Sequence, residues 1–192
     1  MSVSELKTYK GRYIVFGVFV TVAVLFFVIP FFMTLFMFKA YFIPTGAMED
    51  TLLIGDHIFM KRIICGSINR GDVVIFRPPH DEDKDYIKRC IAVGGNTFEI
   101  RNDKVYLNNK PLDEPYVKGA TKPYDFGPGG PLIDGIVPNG KIVVLGDNRE
   151  NSQDSRHFGY LEEKAVKGKA VLIYWNTKKI AESGFSHMGF IK

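Results

Sequence analysis

The sequence predicts a mostly β protein, with one N-terminal transmembrane helix followed by a compact, largely antiparallel β domain. Three observations predict this fold class. Residues 13–38 form an uncharged apolar run of 26 residues. After that run, short segments rich in Val, Ile, Tyr and Phe alternate with Gly, Pro, Asn and Asp, a pattern typical of β-strands and turns. No stretch after residue 40 keeps apolar residues at helical spacing for more than two turns.

The first element is the apolar run. A spanning helix needs about 20 residues at ~1.5 Å each, so this run can cross a bilayer with a tilt or a bend, and Pro30 offers a place for the bend. A cleaved signal peptide would have an apolar core of about 7–15 residues and then a small-x-small site. This run is longer and ends in Met37, Phe38 and Lys39. We therefore expect a retained anchor.

The charges beside the run predict its direction. Lys7, Lys10 and Arg12 precede it, whereas only Lys39 follows closely. Because positive charge is enriched on the cytoplasmic side of membrane helices, we expect the N-terminus in the cytoplasm. The predicted organisation is a cytoplasmic tail (1–12), a transmembrane helix (13–38) and an extracytoplasmic β-rich domain (39–192).

The elements of the outer domain are predicted from the short apolar segments. The predicted strands are DHIFMKRII, DVVIFR, YIKRCIAV, TFEIR, KVYLN, KIVVLGD and KAVLIYW. LEEKAV is a short turn of helix in this interpretation. Residues 119–140 are rich in glycine and proline and are predicted to form an irregular loop or a set of turns.

Composition excludes several function classes. The formal charge is only +4, and the 25 Lys and Arg residues are spread along the chain, which argues against a nucleic-acid partner. Cys65 and Cys90 lack the paired spacing of a zinc site, and the four histidines are scattered. We expect no metal and no cofactor. A single bridge between the two cysteines stays open, since it would form in an oxidising compartment.

Four blocks carry the residues that point to chemistry. They are IPTGAMEDTLLIGD (43–56), RGDVVIF (70–76), YIKRCIAVGG (86–95) and GDNRENSQDSRHFG (146–159). In this order, after an N-terminal span, they resemble the type I signal peptidase family, whose first block normally reads Pro-Ser-Gly-Ser-Met. The resemblance covers most of residues 40–176. It implies a signal-peptidase-type β domain and a serine endopeptidase that removes signal peptides after small-x-small sites.

The resemblance implies a serine nucleophile and a lysine base. Lys88 falls on the position of the general base, and a lysine can act as a base near neutral pH only if burial disfavours its charge. The nucleophile position is occupied by Ala47, whose methyl group cannot attack a carbonyl. Thr45 falls on the oxyanion-hole position, together with the backbone N–H of residue 47. Thr45 as a substitute nucleophile is disfavoured, because two residues displace its oxygen by several ångströms from the base.

The remaining matches imply supporting roles. Ser152 falls on the family serine that hydrogen-bonds the lysine amine and orients it. Asp147 is expected to pair with Arg89. Asp154 and Arg156 are expected to brace the loop near the site. An ordinary polar turn is the alternative interpretation of these residues.

The position of the site along the chain suggests a membrane-proximal substrate. Ala47 comes nine residues after Phe38, a link of at most ~30 Å. The cleavage site of a signal peptide lies at the same surface, because its apolar core occupies the bilayer. The expected location is a bacterial inner (plasma) membrane, single-pass, with the domain on the outer face. The expected partners are signal peptides of exported preproteins, the lipid bilayer and the secretion machinery.

Three hypotheses follow from the sequence. The first is a signal peptidase whose serine is replaced by Ala47, either by design or naturally. The second is a non-catalytic pseudopeptidase that binds signal peptides without cutting them. The third is a membrane-tethered β-rich interaction module in which the blocks only stabilise the fold.

Overall fold

The computed structural model describes residues 3–63, 66–79, 81, 83–122, 134–176 and 187–191. The chain divides into two units, residues 1–39 and 40–192. The first unit is helical, and the second contains the sheets and all the blocks described above. Among the described residues, the mostly β architecture with one N-terminal apolar helical segment confirms the predicted fold class.

The helical unit consists of α1 (Val3–Ala23), one π-helical turn (Val24–Val28) and α2 (Ile29–Met37). The π-helical turn ends two residues before Pro30, which has no backbone N–H to donate, so the irregularity occurs close to where the sequence predicts a bend. Residues 15–37 are long and apolar enough to cross a membrane, with a mean hydropathy of 2.7.

The helix differs in length from the predicted span of 13–38. It begins ten residues earlier, at Val3, and Phe38 already belongs to a strand. The difference arises because a helix needs only compatible backbone propensity, whereas a membrane span also needs the absence of charge. Charged residues such as Lys10 can therefore continue the helix beyond the apolar run.

Twelve strands occur among the described residues of the chain. They are β1 (Phe38–Phe42), β2 (Asp56–Arg62), β3 (Val73–Phe76), β4 (Tyr86–Val93), β5 (Thr97–Arg101), β6 (Lys104–Leu107), β7 (Lys110–Pro111), β8 (Gly135–Ile136), β9 (Lys141–Leu145), β10 (Leu161–Glu162), β11 (Val166–Asn176) and β12 (Gly189–Phe190). One further short α-helix, α3 (Ser155–Phe158), lies within the fourth block. The LEEKAV segment contains a single 3₁₀ turn, Glu163–Ala165.

The strands form two sheets in the described part of the chain. The larger has the order β1-β2-β11-β3-β4-β9-β10, with β12 added against β11, and the smaller has the order β7-β6-β5-β8. From β2 onward the pairings are antiparallel. Register shifts in β11 and β4 interrupt the ladders and increase the local twist.

Strand order explains how distant blocks meet. β4 lies between β3 and β9, so the strand that carries Lys88 pairs with the second block on one side and with the strand leading into the fourth block on the other. Lys88 lies opposite Val74, and Arg89 lies opposite both Val73 and Leu145. The three-dimensional site is therefore assembled at the centre of the larger sheet.

Two sequence expectations concern residues that the structure describes only in part. The question of a Cys65–Cys90 bridge, which the sequence leaves open, involves Cys65, which lies outside the described residues, while Cys90 is a buried thiol. Burial raises the pKa of that thiol to about 12. Half of the predicted loop 119–140 also lies outside them, from residue 123 to residue 133.

Candidate active site

A cleft of about 570 Å³ lies beside β4 and the first block. Ala47, Thr45 and Lys88 all line it. The rest of its lining is partly apolar and partly polar, and includes Tyr41, Phe42, Ile43, Pro44, Ile58, Ile75, Tyr86, Ile87, Asn151 and Gln153. The cleft thus joins the predicted nucleophile position, the predicted base and a partly apolar surface.

The segment that carries Ala47 is anchored by buried apolar neighbours. Ile43, Met48 and Leu52 each expose 3% or less of their surface and pack into one cluster with residues of β2, β3 and β11. Ala47 itself is 7% exposed. Because apolar side chains on both sides of the turn enter the core, the turn is held in place without belonging to a strand.

Lys88 is a buried lysine, with 4% of its surface exposed. Burial lowers the pKa of its amine from 10.5 to about 8, against the opposing charges of Asp154 and Asp147. Its Nζ lies 5.7 Å from the centroid of the Tyr86 ring. About half of this amine is therefore neutral near pH 8, and a smaller fraction near pH 7, and the neutral amine is the state that a general base requires.

Asp154 organises the loop beside Lys88. It accepts hydrogen bonds from the Ser152 hydroxyl (2.7 Å), the Gly146 N–H (3.0 Å) and the Arg156 guanidinium (2.8 and 2.9 Å). Burial alone raises the pKa of Asp154, but the hydrogen bonds and charge of Arg156 outweigh burial and hold the pKa below its ordinary value. Asp154 therefore stays ionised beside the lysine.

Ser152 has a different hydrogen-bond partner from the one the resemblance implies. Its hydroxyl donates to Asp154, and the described residues include no hydrogen bond between Ser152 and Lys88. The oxygen of Ser152 keeps its lone pairs for accepting. The orienting contact between Ser152 and Lys88 stays a prediction.

Arg89 and Asp147 form a buried, two-pronged ion pair. Arg89 Nε donates to Asp147 Oδ1 at 2.9 Å and Nη2 donates to Oδ2 at 2.7 Å. Both side chains are almost fully buried. Thr51 donates to the same carboxylate at 2.6 Å, and the guanidinium stacks over the Tyr116 ring at 4.0 Å. The pair ties β4 to the segment that follows β9.

Gly146 leaves no room for a side chain. A Cβ at this position would lie 2.1 Å from Ser152 Oγ and 2.6 Å from the Ala47 carbonyl oxygen. The next residue but one, Asn148, donates its backbone N–H to that same Ala47 oxygen at 3.1 Å. The fourth block therefore packs directly against the nucleophile position.

Sequence reasoning missed the buried ion pair between Arg149 and Glu114. Arg149 donates to Glu114 (2.5 and 3.2 Å), to Thr121 and to the Gly146 carbonyl (3.0 Å). It belongs to the fourth block, but its acidic partner lies 35 positions earlier in a segment without a motif. A local pattern could not reveal this pairing, because only the tertiary fold brings the two residues together.

The comparisons with known proteins agree with this geometry. The family model described as "Signal peptidase, peptidase S26" matches residues 13–175. A signal peptidase IB of Staphylococcus aureus (strain Mu50 / ATCC 700699) is 35% identical over 163 residues, covering 78% of this chain and 84% of that protein. The chain belongs to the signal peptidase family. The resemblance stated from the four blocks is thereby confirmed.

Further signal peptidases show the same similarity. A signal peptidase I of Bacillus caldolyticus is 34% identical over 164 residues, covering 77% of this chain and 85% of that protein. A solved signal peptidase I from Enterococcus faecalis V583 is 31% identical and covers 54% of this chain and 97% of that one, with a TM-score of 0.44. Members of this family are serine endopeptidases that remove signal peptides from preproteins.

Proposed function

We propose that this signal peptidase is built for a serine–lysine mechanism and that Ala47 disables it, so the chain as it stands binds signal peptides without cutting them. The observation that carries the proposal is the pairing of a buried lysine of lowered pKa with position 47 in one cleft. Family membership supports the substrate class, signal-peptide-bearing preproteins.

The proposed chemistry assigns one task to each side chain. With serine at position 47, the hydroxyl oxygen attacks the scissile carbonyl while its proton passes to the neutral Lys88 amine. The resulting ammonium then protonates the leaving amine, which leaves an acyl-enzyme. A water molecule hydrolyses that ester: Lys88 accepts a proton from the water and returns it to the serine oxygen as the ester bond breaks, which releases the carboxyl product and regenerates the neutral amine. Alanine has no oxygen to begin this sequence, whereas the base and its surroundings are intact.

The developing oxyanion needs donors. Thr45 supplies a hydroxyl and residue 47 supplies its backbone N–H, a type of donor that is worth ~3–4 kcal/mol to the transition state. Thr45 is exposed in the cleft, and none of the described residues accepts a hydrogen bond from its hydroxyl. Both donors are present with alanine at position 47, so the proposed oxyanion hole does not depend on the serine hydroxyl.

The proposed substrate lies in the cleft as an extended strand, since exposed strand edges bind peptides through their backbones. Ile43, Ile58, Ile75 and Ile87 line the cleft and leave space for small apolar side chains. The helix at residues 15–37 anchors the protein in a bacterial inner (plasma) membrane, with residues 1–12 in the cytoplasm and the domain on the outer face. The lipid bilayer and the secretion machinery are the proposed further partners.

The decisive experiment compares the chain as written with the Ala47→Ser variant, both as full chains in detergent. The substrate is a precursor with a small-x-small site. We expect the serine form to cleave and the alanine form to bind without cleaving. Cleavage by the alanine form would overturn the assignment of position 47.

A binding-only pseudopeptidase is the second candidate, and Ala47 is the observation that favours it. This candidate predicts precursor binding by both forms and cleavage by neither. Cleavage by the Ala47→Ser form separates the two candidates, because only the serine–lysine proposal predicts it. A Lys88→Met variant in the Ala47→Ser background then tests the base, since the serine–lysine proposal requires that this variant lose the activity that serine restores.

A further inference from the structure

Asn148 holds the carbonyl groups of residues 46 and 47, one through its side chain and the other through its backbone N–H. Asn148 Nδ2 donates to the Gly46 carbonyl at 3.0 Å, and the Asn148 backbone N–H donates to the Ala47 carbonyl at 3.1 Å. Gly46 also accepts from the Glu49 N–H at 3.1 Å. Asn148 therefore fixes two consecutive peptide groups of a turn that belongs to no strand.

The first of these contacts determines where the Ala47 N–H points. The peptide bond between Gly46 and Ala47 is trans, so its C=O and N–H lie in one plane and point in opposite directions. With the C=O directed at Asn148, the N–H is directed away from it. No described residue accepts a hydrogen bond from this N–H, and Ala47 lines the cleft.

Asn148 is itself rigidly placed. It is 7% exposed and forms an isolated parallel bridge with Lys118, whose N–H donates to the Asp147 carbonyl at 2.8 Å. Its amide nitrogen also donates to Glu49 Oε2 at 3.3 Å. Both neighbours of the amide nitrogen are acceptors, which fixes the orientation of the side-chain amide.

We propose that Asn148 is a positioning residue that aims the backbone N–H of residue 47 into the cleft as an oxyanion donor. The inference rests on the proposed function, because the N–H serves catalysis only if residue 47 is the nucleophile position. Asn148 does not touch the reacting atoms in this scheme. It acts through the Gly46 peptide group.

The matched substitutions are Asn148→Asp, which keeps the shape but cannot donate to Gly46, and Asn148→Ala, which removes the amide. In the Ala47→Ser full chain we expect kcat for precursor cleavage to fall ~10–100-fold. This fall is no larger than the one caused by removing an oxyanion-hole donor altogether. We expect KM to change less than about twofold, because the oxyanion forms only in the transition state. In the chain as written, the Kd for uncleaved precursor should stay unchanged.

Asn176→Ala is the control for loss of a buried asparagine. Asn176 is 2% exposed and donates to Asp56 at 2.5 Å. The Asn176→Ala substitution should lower the melting temperature without lowering kcat. An Asn148 variant that keeps full kcat, or that loses activity only through KM or unfolding, would overturn the inference while leaving the serine–lysine proposal intact.

A second measurement does not depend on cleavage. In the chain as written, the ¹⁵N–¹H resonance of the Ala47 amide should shift on Asn148→Asp and on Asn148→Ala, but not on Asn176→Ala. An unmoved resonance refutes the positioning role even if the Ala47→Ser variant proves inactive. Failure of the Ala47→Ser variant to cleave, with a shifted resonance, refutes the proposed function and with it the oxyanion role, and leaves only the orienting of the Ala47 N–H by Asn148.

Discussion

The burial of Lys88 makes a quantitative prediction about stability. In the folded protein the pKa of this amine is about 8, against 10.5 for an ordinary lysine, because burial disfavours the charged form. The difference corresponds to about 3 kcal/mol. At pH 7 this difference lowers the free energy of unfolding, because folding must either bury the charged Lys88 amine or remove its proton. Replacing Lys88 by methionine, an unbranched apolar side chain of similar length, removes the cost.

The sign of the pH dependence follows from the two pKa values. Between about pH 8 and pH 10.5 the unfolded chain binds more protons at residue 88 than the folded chain does, so stability rises with pH across this window. Below pH 8 the full cost is present, and above pH 10.5 it is absent. Lys88→Met should thus stabilise the protein by about 3 kcal/mol at pH 7 and by less than ~0.5 kcal/mol at pH 10.5.

Urea unfolding of the full chain in detergent, followed by the fluorescence of the single tryptophan, Trp175, measures this difference. The corresponding rise in melting temperature at pH 7 is roughly 6–12 °C for a domain of this size. Lys104→Met, at an exposed lysine of β6, is the control and should show no such pH-dependent gain. A Lys88→Met variant that is destabilised at pH 7, or whose gain does not shrink toward pH 10.5, would refute the assignment of a buried, neutral-prone amine.

Three further predictions concern activity and the supporting contacts. The kcat/KM of Ala47→Ser should rise with pH through about 8 as Lys88 loses its proton, and a profile that is flat from pH 6 to 9 would exclude Lys88 as the base. Asp147→Asn leaves the Arg89 charge buried without its counter-ion, so we expect a loss of about 3–5 kcal/mol in urea unfolding; a loss below 1 kcal/mol would show that the pair is solvated. Gly146→Ala should cost about 1–3 kcal/mol of stability and abolish the activity gained by Ala47→Ser, because its Cβ would overlap the nucleophile segment. Kinetics equal to those of Ala47→Ser with Gly146 retained would contradict the tight packing.

Local sequence was sufficient for features that depend on nearby residues. The apolar run of residues 13–38 and the short Val- and Ile-rich segments predict the helix and most of the strands, since membrane insertion and strand formation depend on runs of about 5–25 residues. The motif blocks led to the family and to Lys88 and Ala47 as the central positions. The structure places both residues at the same cleft.

Contacts between distant segments could not be predicted in the same way. The Arg149–Glu114 pair joins residues 35 positions apart, and the Asn148–Gly46 contact joins residues 102 positions apart. Neither contact produces a local pattern, because each depends on strand order in the larger sheet. The partner of Ser152 is a related case, since the position of Asp154 relative to Ser152 is set by the folded loop.

The sequence by itself therefore determined the N-terminal apolar segment, the β class, the family and the absence of a hydroxyl at position 47, all of which are properties of residue identity and order. Only the tertiary structure decided that Lys88 is 4% exposed and that its pKa falls to about 8. It also decided which side chains hold the peptide groups beside Ala47. The physical reason is that desolvation and hydrogen-bond direction depend on surrounding atoms contributed by β3, β9 and the fourth block, which are remote in sequence and adjacent only after folding.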